Sequence, residues 1–158
     1  MNSETELKGR VKVQIYYKDT NKFEFIEFEN SVLKKGQAAL ASSLGNNYGD
    51  SYDFFISRMI FGDNGTDEGV PKFVSKERNG LFGITRSIKP VIATIDPNLN
   101  NQLVLTSVLD YEDDSNGFTL NEMALQMNNG DLYSMATFAD FNKTSNMQIT
   151  WNWRLSFI

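Results

Sequence analysis

One stretch near the end of the chain alternates between apolar and polar side chains without a break. Its apolar members are every second residue: Met147, Ile149, Trp151, Trp153, Leu155 and Phe157. Successive side chains of a β-strand point to opposite faces, so this period of two predicts a strand with one face in a hydrophobic core. The two tryptophans share the apolar face. We expect them to pack in the core, although stacking against a sugar is the alternative.

A second alternating stretch lies at the start of the chain. Residues 11–18 alternate in the same way, 19–22 supply turn residues, and 23–28 are typical of a returning strand. Together they predict an N-terminal β-hairpin over 11–29. The alternation slips between Phe25 and Ile26, which predicts a bulge at that point.

The rest of the chain contains further short apolar segments separated by turn residues. They lie at 54–61, 81–88, 91–95, 103–109, 118–127 and 132–138. Pro90 has no N–H group and implies an edge, a bend or a break. About eight strands at this spacing predict a mainly β fold, an antiparallel β-sandwich or a distorted barrel. We expect one domain over 1–158, with the hairpin at 11–29 and the body at 31–158.

One short α-helix is expected at about 31–44. Three apolar residues share a face at helical spacing: Leu33, Leu40 and Leu44. Asn30 or Ser31 could cap its start, and Gly45 stands where a left-handed residue ends many helices. Gly36 weakens the helix and suggests that another backbone approaches there.

Composition excludes several classes of chemistry. The chain has 158 residues, no Cys and no His. Disulfides, thiol nucleophiles, His bases and His or Cys metal ligands are therefore impossible. A formal net charge of −5 without a basic cluster argues against nucleic acid as a partner. No apolar run is long enough to span a membrane, and the polar first residues suggest no secretory signal. We expect no enzymatic activity, no cofactor and no membrane partner.

Three acidic features are candidate sites. Asp63, Asn64, Asp67 and Glu68 could offer oxygen ligands to calcium, but they do not match an EF-hand, and a solvated turn is the favoured interpretation. A charged loop tip is likewise favoured for the cluster 112–114. Glu122 lies within an apolar strand, so it is either a buried structural carboxylate that pins a loop backbone or a residue that a bulge turns to solvent.

Two segments are expected to contact partners. The stretch from 62 to 80 is long and has no evident core role, and it carries Val70, Phe73 and Val74. These apolar side chains are candidate anchors against a neighbouring protein. In the hairpin, Tyr16 lies on the face that should be polar, and a hairpin edge can accept a strand from another chain. Both segments could instead fold back onto their own domain.

Four segments resemble, in order, a pattern of tailed-bacteriophage virion proteins, in particular tail-collar and tail-fibre attachment domains. They are the helix at 35–40, the strand and loop at 56–65, and the segments 117–125 and 129–138. Between the second and the third, 85–86 and 96–98, followed by a strand and an acidic loop, resemble the middle of the pattern. The likeness covers roughly 31–158. Ala124 departs from it, since the family pattern has glycine there. No long fibre-forming extension follows Ile158, so a small virion component is expected rather than the foot of a fibre.

The resemblance implies a non-enzymatic structural protein of the virion, assembled in the host cytoplasm. A tail, collar, baseplate or fibre-attachment role is expected. The expected partners are other virion proteins and copies of the chain itself, as a homo-oligomer. A capsid decoration protein and a carbohydrate-binding module are the alternatives.

Overall fold

A computed structural model describes residues 7–45 and 54–157 of the chain. These residues form one helix and twelve strands, two of them in a small separate hairpin. The elements are β1 (Leu7–Tyr17), β2 (Lys22–Glu29), β3 (Ser31–Val32), α1 (Lys34–Leu44), β4 (Ile56–Gly62), β5 (Thr66–Asp67), β6 (Val70–Pro71), β7 (Thr85–Pro90), β8 (Ile92–Asp96), β9 (Leu99–Leu109), β10 (Thr119–Met127), β11 (Leu132–Asn142) and β12 (Met147–Phe157).

Two five-stranded antiparallel sheets make up the body of the fold. The first sheet has the order β2-β1-β12-β9-β8, and the second has the order β3-β11-β10-β4-β7. The described strands do not close into a barrel, so of the two predicted architectures the structure has the sandwich. The prediction of a mainly β fold with one short helix is confirmed.

The core between the sheets is built around the two tryptophans. Trp151 and Trp153 are fully buried, as their alternation predicts. The Trp151 ring lies 4.8 Å from that of Phe61 in the second sheet and 5.5 Å from that of Phe138. Burying a large aromatic side chain contributes about 2–3 kcal/mol, so these rings hold the two sheets together.

The second sheet also has a buried outer face. A smaller apolar cluster forms there, made of Leu33, Ile60, Val74, Ala124, Leu132 and Met135. Helix α1 packs against β11, and Leu81 and Phe82 pack against the cluster. The central strand β10 is therefore buried on both sides, from Leu120 to Met127 with the exception of Gln126.

The N-terminal hairpin forms, but without the expected bulge. The ladder between β1 and β2 runs in one register, with Val13 opposite Ile26 and Gln14 opposite Phe25. The prediction of a bulge is wrong because the apolar residues of β2 do not share a face. Ile26 packs against the core, whereas Phe25 is exposed on the outer face.

The helix is shorter than expected at its start. Ser31 and Val32 form strand β3 against β11, and α1 begins at Lys34 without a side-chain cap. The predicted apolar face is wrong at Leu44, which is 82% exposed, whereas Leu33 is fully buried as predicted. Gly36 and Ala39 are buried instead. A Cβ at Gly36 would overlap the carbonyl oxygen of Tyr133, which confirms the predicted close approach of another backbone.

Two further boundaries differ from the sequence prediction. Gly45 ends the helix with a right-handed φ of −80° instead of a left-handed one. The segment 62–80 contains regular structure after all, because β5 and β6 form a two-residue ladder within it. Its turn is tight, and Glu68 and Gly69 both have positive φ, at 49° and 80°.

Candidate functional site

Glu122 is fully buried on the outer side of the second sheet. A register irregularity lies between Leu120 and Glu122 in the ladder to β11. As a result Leu120 and Met123 both face the core between the sheets, and Glu122 shares the outer side with Ala124. A bulge therefore exists, but it turns the carboxylate beneath the segment 62–83 and not toward solvent.

The Glu122 carboxylate is satisfied by backbone N–H groups. Its Oε1 accepts hydrogen bonds from the N–H of Asn64 at 3.2 Å and of Gly83 at 2.8 Å. Its Oε2 accepts one from the N–H of Phe82 at 2.7 Å. Donors aimed at an ionised acceptor offset the cost of burying the charge. The carboxylate therefore joins two stretches of loop, at 64 and at 82–83, to the centre of the sheet.

Asn121, the preceding residue, holds the same loop from its other side. Its Oδ1 accepts a hydrogen bond of 2.6 Å from the N–H of Gly65. Its Nδ2 donates to Thr66 Oγ1 at 3.1 Å and to Asp140 Oδ1 at 3.0 Å. Hydrogen bonds from Thr66 and Asn121 hold the pKa of Asp140 below its ordinary value. We call Asn121 and Glu122 together the loop clamp.

Glycines make room for the loop clamp. A Cβ at Gly62 would lie 2.5 Å from Glu122 Oε1, and one at Gly65 would overlap the carbonyl oxygen of Asn121. The loop can therefore lie directly on the sheet only because these positions have no side chain. Sequence reasoning singled out Glu122 but missed Asn121, although its place beside a carboxylate in an apolar strand was a usable signal.

The loop clamp fixes the base of the β5–β6 hairpin. The N–H of Lys72 donates to the Gly65 carbonyl at 2.8 Å, which closes the hairpin. The hydroxyl of Thr137 on β11 donates to the Lys72 carbonyl at 2.7 Å. Thr66 Oγ1 donates to Asp140 Oδ1 at 2.7 Å. The hairpin is thus held at both ends against the second sheet.

The three candidate contact residues of this segment separate into two groups. Phe73 is 87% exposed and Val70 is 66% exposed. Val74 is only 8% exposed and packs in the outer apolar cluster, so its prediction as a partner contact is wrong. The physical reason is alternation: neighbouring residues of an extended segment point to opposite sides, so Val74 turns inward where Phe73 turns outward.

Two of the four residues considered as calcium ligands have side-chain oxygens that already bind partners within the protein. Asp63 Oδ2 accepts a hydrogen bond of 2.7 Å from Arg86 Nε. Asn64 Oδ1 accepts one of 3.3 Å from Lys72 Nζ. Across 7–45 and 54–157, no three acidic side chains are grouped so as to hold a metal ion.

The acidic cluster at 112–114 is not a simple loop tip. The Asp113 side chain is buried and lies 2.6 Å from Lys89 Nζ. The N–H and hydroxyl of Ser115 donate to Asp113 Oδ1 at 2.9 and 2.6 Å. Burial alone raises the pKa of Asp113, but Lys89 and Ser115 outweigh it and hold the pKa below its ordinary value. Only Glu112 and Asp114 are exposed as expected.

Tyr16 belongs to an aromatic row on the outer face of the first sheet. It is half-buried, and its ring lies 4.9 Å from that of Phe23, which in turn lies 6.4 Å from that of Phe25. Phe23 and Phe25 are both exposed. They lie on β2, the edge strand of the sheet. This row and the β5–β6 hairpin are separate surfaces on different sheets.

No family model, no curated protein and no solved structure matches this chain. None of the helices in the described part of the chain has the length and apolar character needed to cross a membrane.

Proposed function

We propose that this protein is a non-enzymatic structural component of a tailed-phage virion that acts through protein–protein contacts. A tail, collar, baseplate or fibre-attachment position is the proposed place. The observation that carries the proposal is the exposed Phe73, which directly follows the hairpin that the loop clamp and Thr137 hold against the second sheet. A large apolar side chain on a fixed support is typical of an interface anchor, because little conformational entropy is lost when a partner covers it.

The family resemblance supports the same proposal through the loop clamp. Two of the segments that carry the likeness, 56–65 and 117–125, meet at this clamp: Gly65 donates to Asn121, and Asn64 donates to Glu122. A shared sequence pattern at such a place has a physical reason, since the glycines and the carboxylate are each needed for the loop to lie on the sheet.

The edge strand β2 supports the proposed homo-oligomer. The N–H of Asn30 donates to the Gly9 carbonyl, which continues the β1–β2 ladder by one position. Because hydrogen-bonded positions alternate along an antiparallel ladder, even-numbered residues of β2 bond to β1. The backbone groups of Phe23, Phe25 and Glu27 therefore point to the open edge. Such an edge can pair with a strand of a second copy.

The structure offers less support for the two alternatives, a capsid decoration protein and a carbohydrate-binding module. A capsid decoration protein would need the same adhesive loops, and only its copy number differs. A carbohydrate-binding module would need exposed aromatic platforms. Both tryptophans are in the core, so this alternative would have to rest on the exposed Phe23 and Phe25 of the first sheet. A surface groove of 530 Å³ is lined by charged and small residues, among them Lys8, Arg10 and Arg154, and no aromatic side chain lines it.

The experiment changes the two exposed anchors together, Val70→Ser and Phe73→Ser. We expect the isolated protein to keep its Tm within about 3 °C, because both side chains are in solvent. Its incorporation into particles, measured by quantitative mass spectrometry of purified virions, should fall about 10-fold or more. Wild-type incorporation of a folded double variant would refute the proposal.

The matched control is a pair of exposed apolar residues away from the hairpin, Ile92→Ser and Val108→Ser. We expect it to fold and to assemble as the wild type does. The number of copies per particle, measured in the same virions, distinguishes a tail or collar part from a capsid decoration protein. On the order of tens of copies favours a tail or collar part, and on the order of hundreds favours capsid decoration.

A further inference from the structure

Lys143 is a lysine with no exposed surface. It follows directly after β11 and is 0% exposed. Its N–H donates to the carbonyl of Phe118 at 3.1 Å, and its carbonyl accepts from the N–H of Gly117 at 2.9 Å. The backbone on both sides is therefore fixed against the end of the 110–117 loop. Lysines are almost never fully buried without a paired charge, so this residue requires an explanation.

The two hydrogen-bond partners that the described residues offer the Lys143 amine are both neutral. Its Nζ donates to Asn116 Oδ1 at 2.7 Å and to the Thr144 carbonyl at 2.8 Å. None of the ion pairs found in 7–45 and 54–157 includes it. Burial lowers the pKa of the Lys143 amine, although the nearby carboxylates, Asp113 foremost, oppose this. A lower pKa increases the fraction of an amine that is neutral, and the neutral amine is the nucleophilic form.

The side-chain amide of Asn116 lies directly beside that amine. Since a C=O bond is about 1.2 Å long, an atom 2.7 Å from Oδ1 lies within about 4 Å of Cγ. The amide is also held in place, because its Nδ2 donates to the Tyr111 carbonyl at 2.7 Å and its backbone N–H donates to the Asp113 carbonyl at 3.0 Å. An amine and an amide held side by side react intramolecularly, which gives the reaction a large effective concentration once the two atoms approach to about 3–3.5 Å.

We propose that Lys143 and Asn116 condense into an intramolecular isopeptide bond. The neutral amine attacks Cγ of Asn116, so that a Nζ–Cγ bond forms and the Cγ–Nδ2 bond breaks. One proton of the amine passes to the departing Nδ2, which leaves as ammonia. No oxidant, reductant or cofactor is consumed. The bond ties the 110–117 loop to the start of the β11–β12 connection, across 27 positions of sequence.

The chain contains its own comparison for this reaction. Lys72 Nζ also donates to an asparagine, Asn64 Oδ1, at 3.3 Å, but that contact is exposed to solvent. Water solvates both groups there and competes with the contact between them. We expect the bond at Lys143 and not at Lys72.

Intact-mass spectrometry of the purified wild-type protein tests the proposal. We expect a mass about 17 Da below that calculated from the sequence, the mass of the ammonia lost. After proteolysis, one branched peptide should join the segment with Asn116 to the segment with Lys143. The loss should persist in hydroxylamine, which cleaves a succinimide. A succinimide at one of the Asn-Gly pairs has the same mass but gives no branched peptide, and that result would overturn the proposal.

Variants assign the reacting groups. Lys143→Arg and Asn116→Ala should each restore the full mass, and Lys72→Arg, the matched control, should retain the 17 Da deficit of the wild type. If a variant fails to fold, the wild-type measurement still decides. Folded wild-type protein that keeps its full mass after prolonged incubation at pH 8 would show that Lys143 only forms hydrogen bonds. This result does not depend on the particle assay above.

Discussion

The two sheets of the sandwich differ in how many faces they bury. In the first sheet, β12 alternates between buried and half-exposed residues, and its outer face lies open. In the second sheet, β10 is buried on both sides, because the other sheet covers one face and α1 with the segment around Leu81 and Phe82 covers the other. A sheet with one open face tolerates polar residues on every second position. A sheet covered twice must satisfy each polar group internally, which is why Asn121 and Glu122 carry the loop clamp there.

The largest expected effect comes from a substitution in the hydrophobic core between the two sheets. We expect Trp153→Ala to lower the free energy of unfolding by about 4 kcal/mol, because it removes a fully buried ring and leaves a cavity. Thr150→Ala, on the outer face of the same strand, is the matched control and should change it by less than about 0.5 kcal/mol. Urea unfolding followed by tryptophan fluorescence measures both. Equal effects at the two positions would contradict the one-faced description of the first sheet.

The next effect tests the double burial of the second sheet. Glu122→Gln keeps the shape of the side chain but turns an N–H₂ group toward backbone donors, so we expect a loss of about 2–3 kcal/mol. Hydrogen exchange at the amides of Phe82 and Gly83 should become faster at the same time. Glu112→Gln is the control, because it removes the same negative charge at an exposed position. A variant as stable as the control would mean that the carboxylate does not hold the loop.

A smaller effect tests the layer outside the second sheet. Gly36→Ala favours the helix by about 1 kcal/mol, yet the added methyl overlaps the Tyr133 carbonyl, so we expect a net loss of about 2 kcal/mol. Gly80→Ala is the control, because its Cβ would meet no atom within 4 Å. Thermal unfolding followed by circular dichroism measures both. Stabilisation by Gly36→Ala would show that α1 does not lie tightly on the sheet.

The smallest effect concerns pH and the ion pair at the edge of the core. The pKa of Asp113 is lowered in the folded state, so its contribution is complete above about pH 4, where the unfolded carboxyl titrates. The contribution is lost as the pH falls from there through the folded pKa.

We therefore expect Asp113→Asn to cost about 1–2 kcal/mol at pH 7, between the values for exposed and for fully buried ion pairs, because Lys89 is partly exposed. The difference from the wild type should shrink as the pH falls from 4 to 2, as measured by urea unfolding at each pH. Asp114→Asn, an exposed neighbour, should follow the wild type throughout. A difference that stays constant with pH would mean that the Asp113 charge does not contribute.

The contrast between the sheets also explains what the sequence could predict. Both ends of strand β12 were predicted correctly, because a strand with one buried and one open face alternates between apolar and polar residues along its whole length. The loop clamp could be predicted only in part. Glu122 was conspicuous as a charge among apolar residues, but its partners are backbone N–H groups, which no side chain reveals.

Two errors have the same physical origin. Val74 was grouped with Phe73 because both are apolar, and only the path of the chain over the second sheet separates them. The slip in the alternation between Phe25 and Ile26 predicted a bulge because both are apolar, but the ladder keeps one register and Phe25 lies on the outer face. Lys143 left no signal in the sequence, because a single lysine after a strand is ordinarily solvated.

The crossing between the sheets at Val91 has a mechanical consequence. Strand β7 ends at Pro90 in the second sheet and β8 begins at Ile92 in the first, so a single residue spans the two layers. The crossing is anchored on both sides, by the Val91 N–H to the Ser57 carbonyl at 3.2 Å and by the Ser107 hydroxyl to the Pro90 carbonyl at 2.9 Å. So short a link has no slack. Under shear it transmits force directly from one layer to the other, and the layers cannot slide past each other at this side before those two hydrogen bonds rupture.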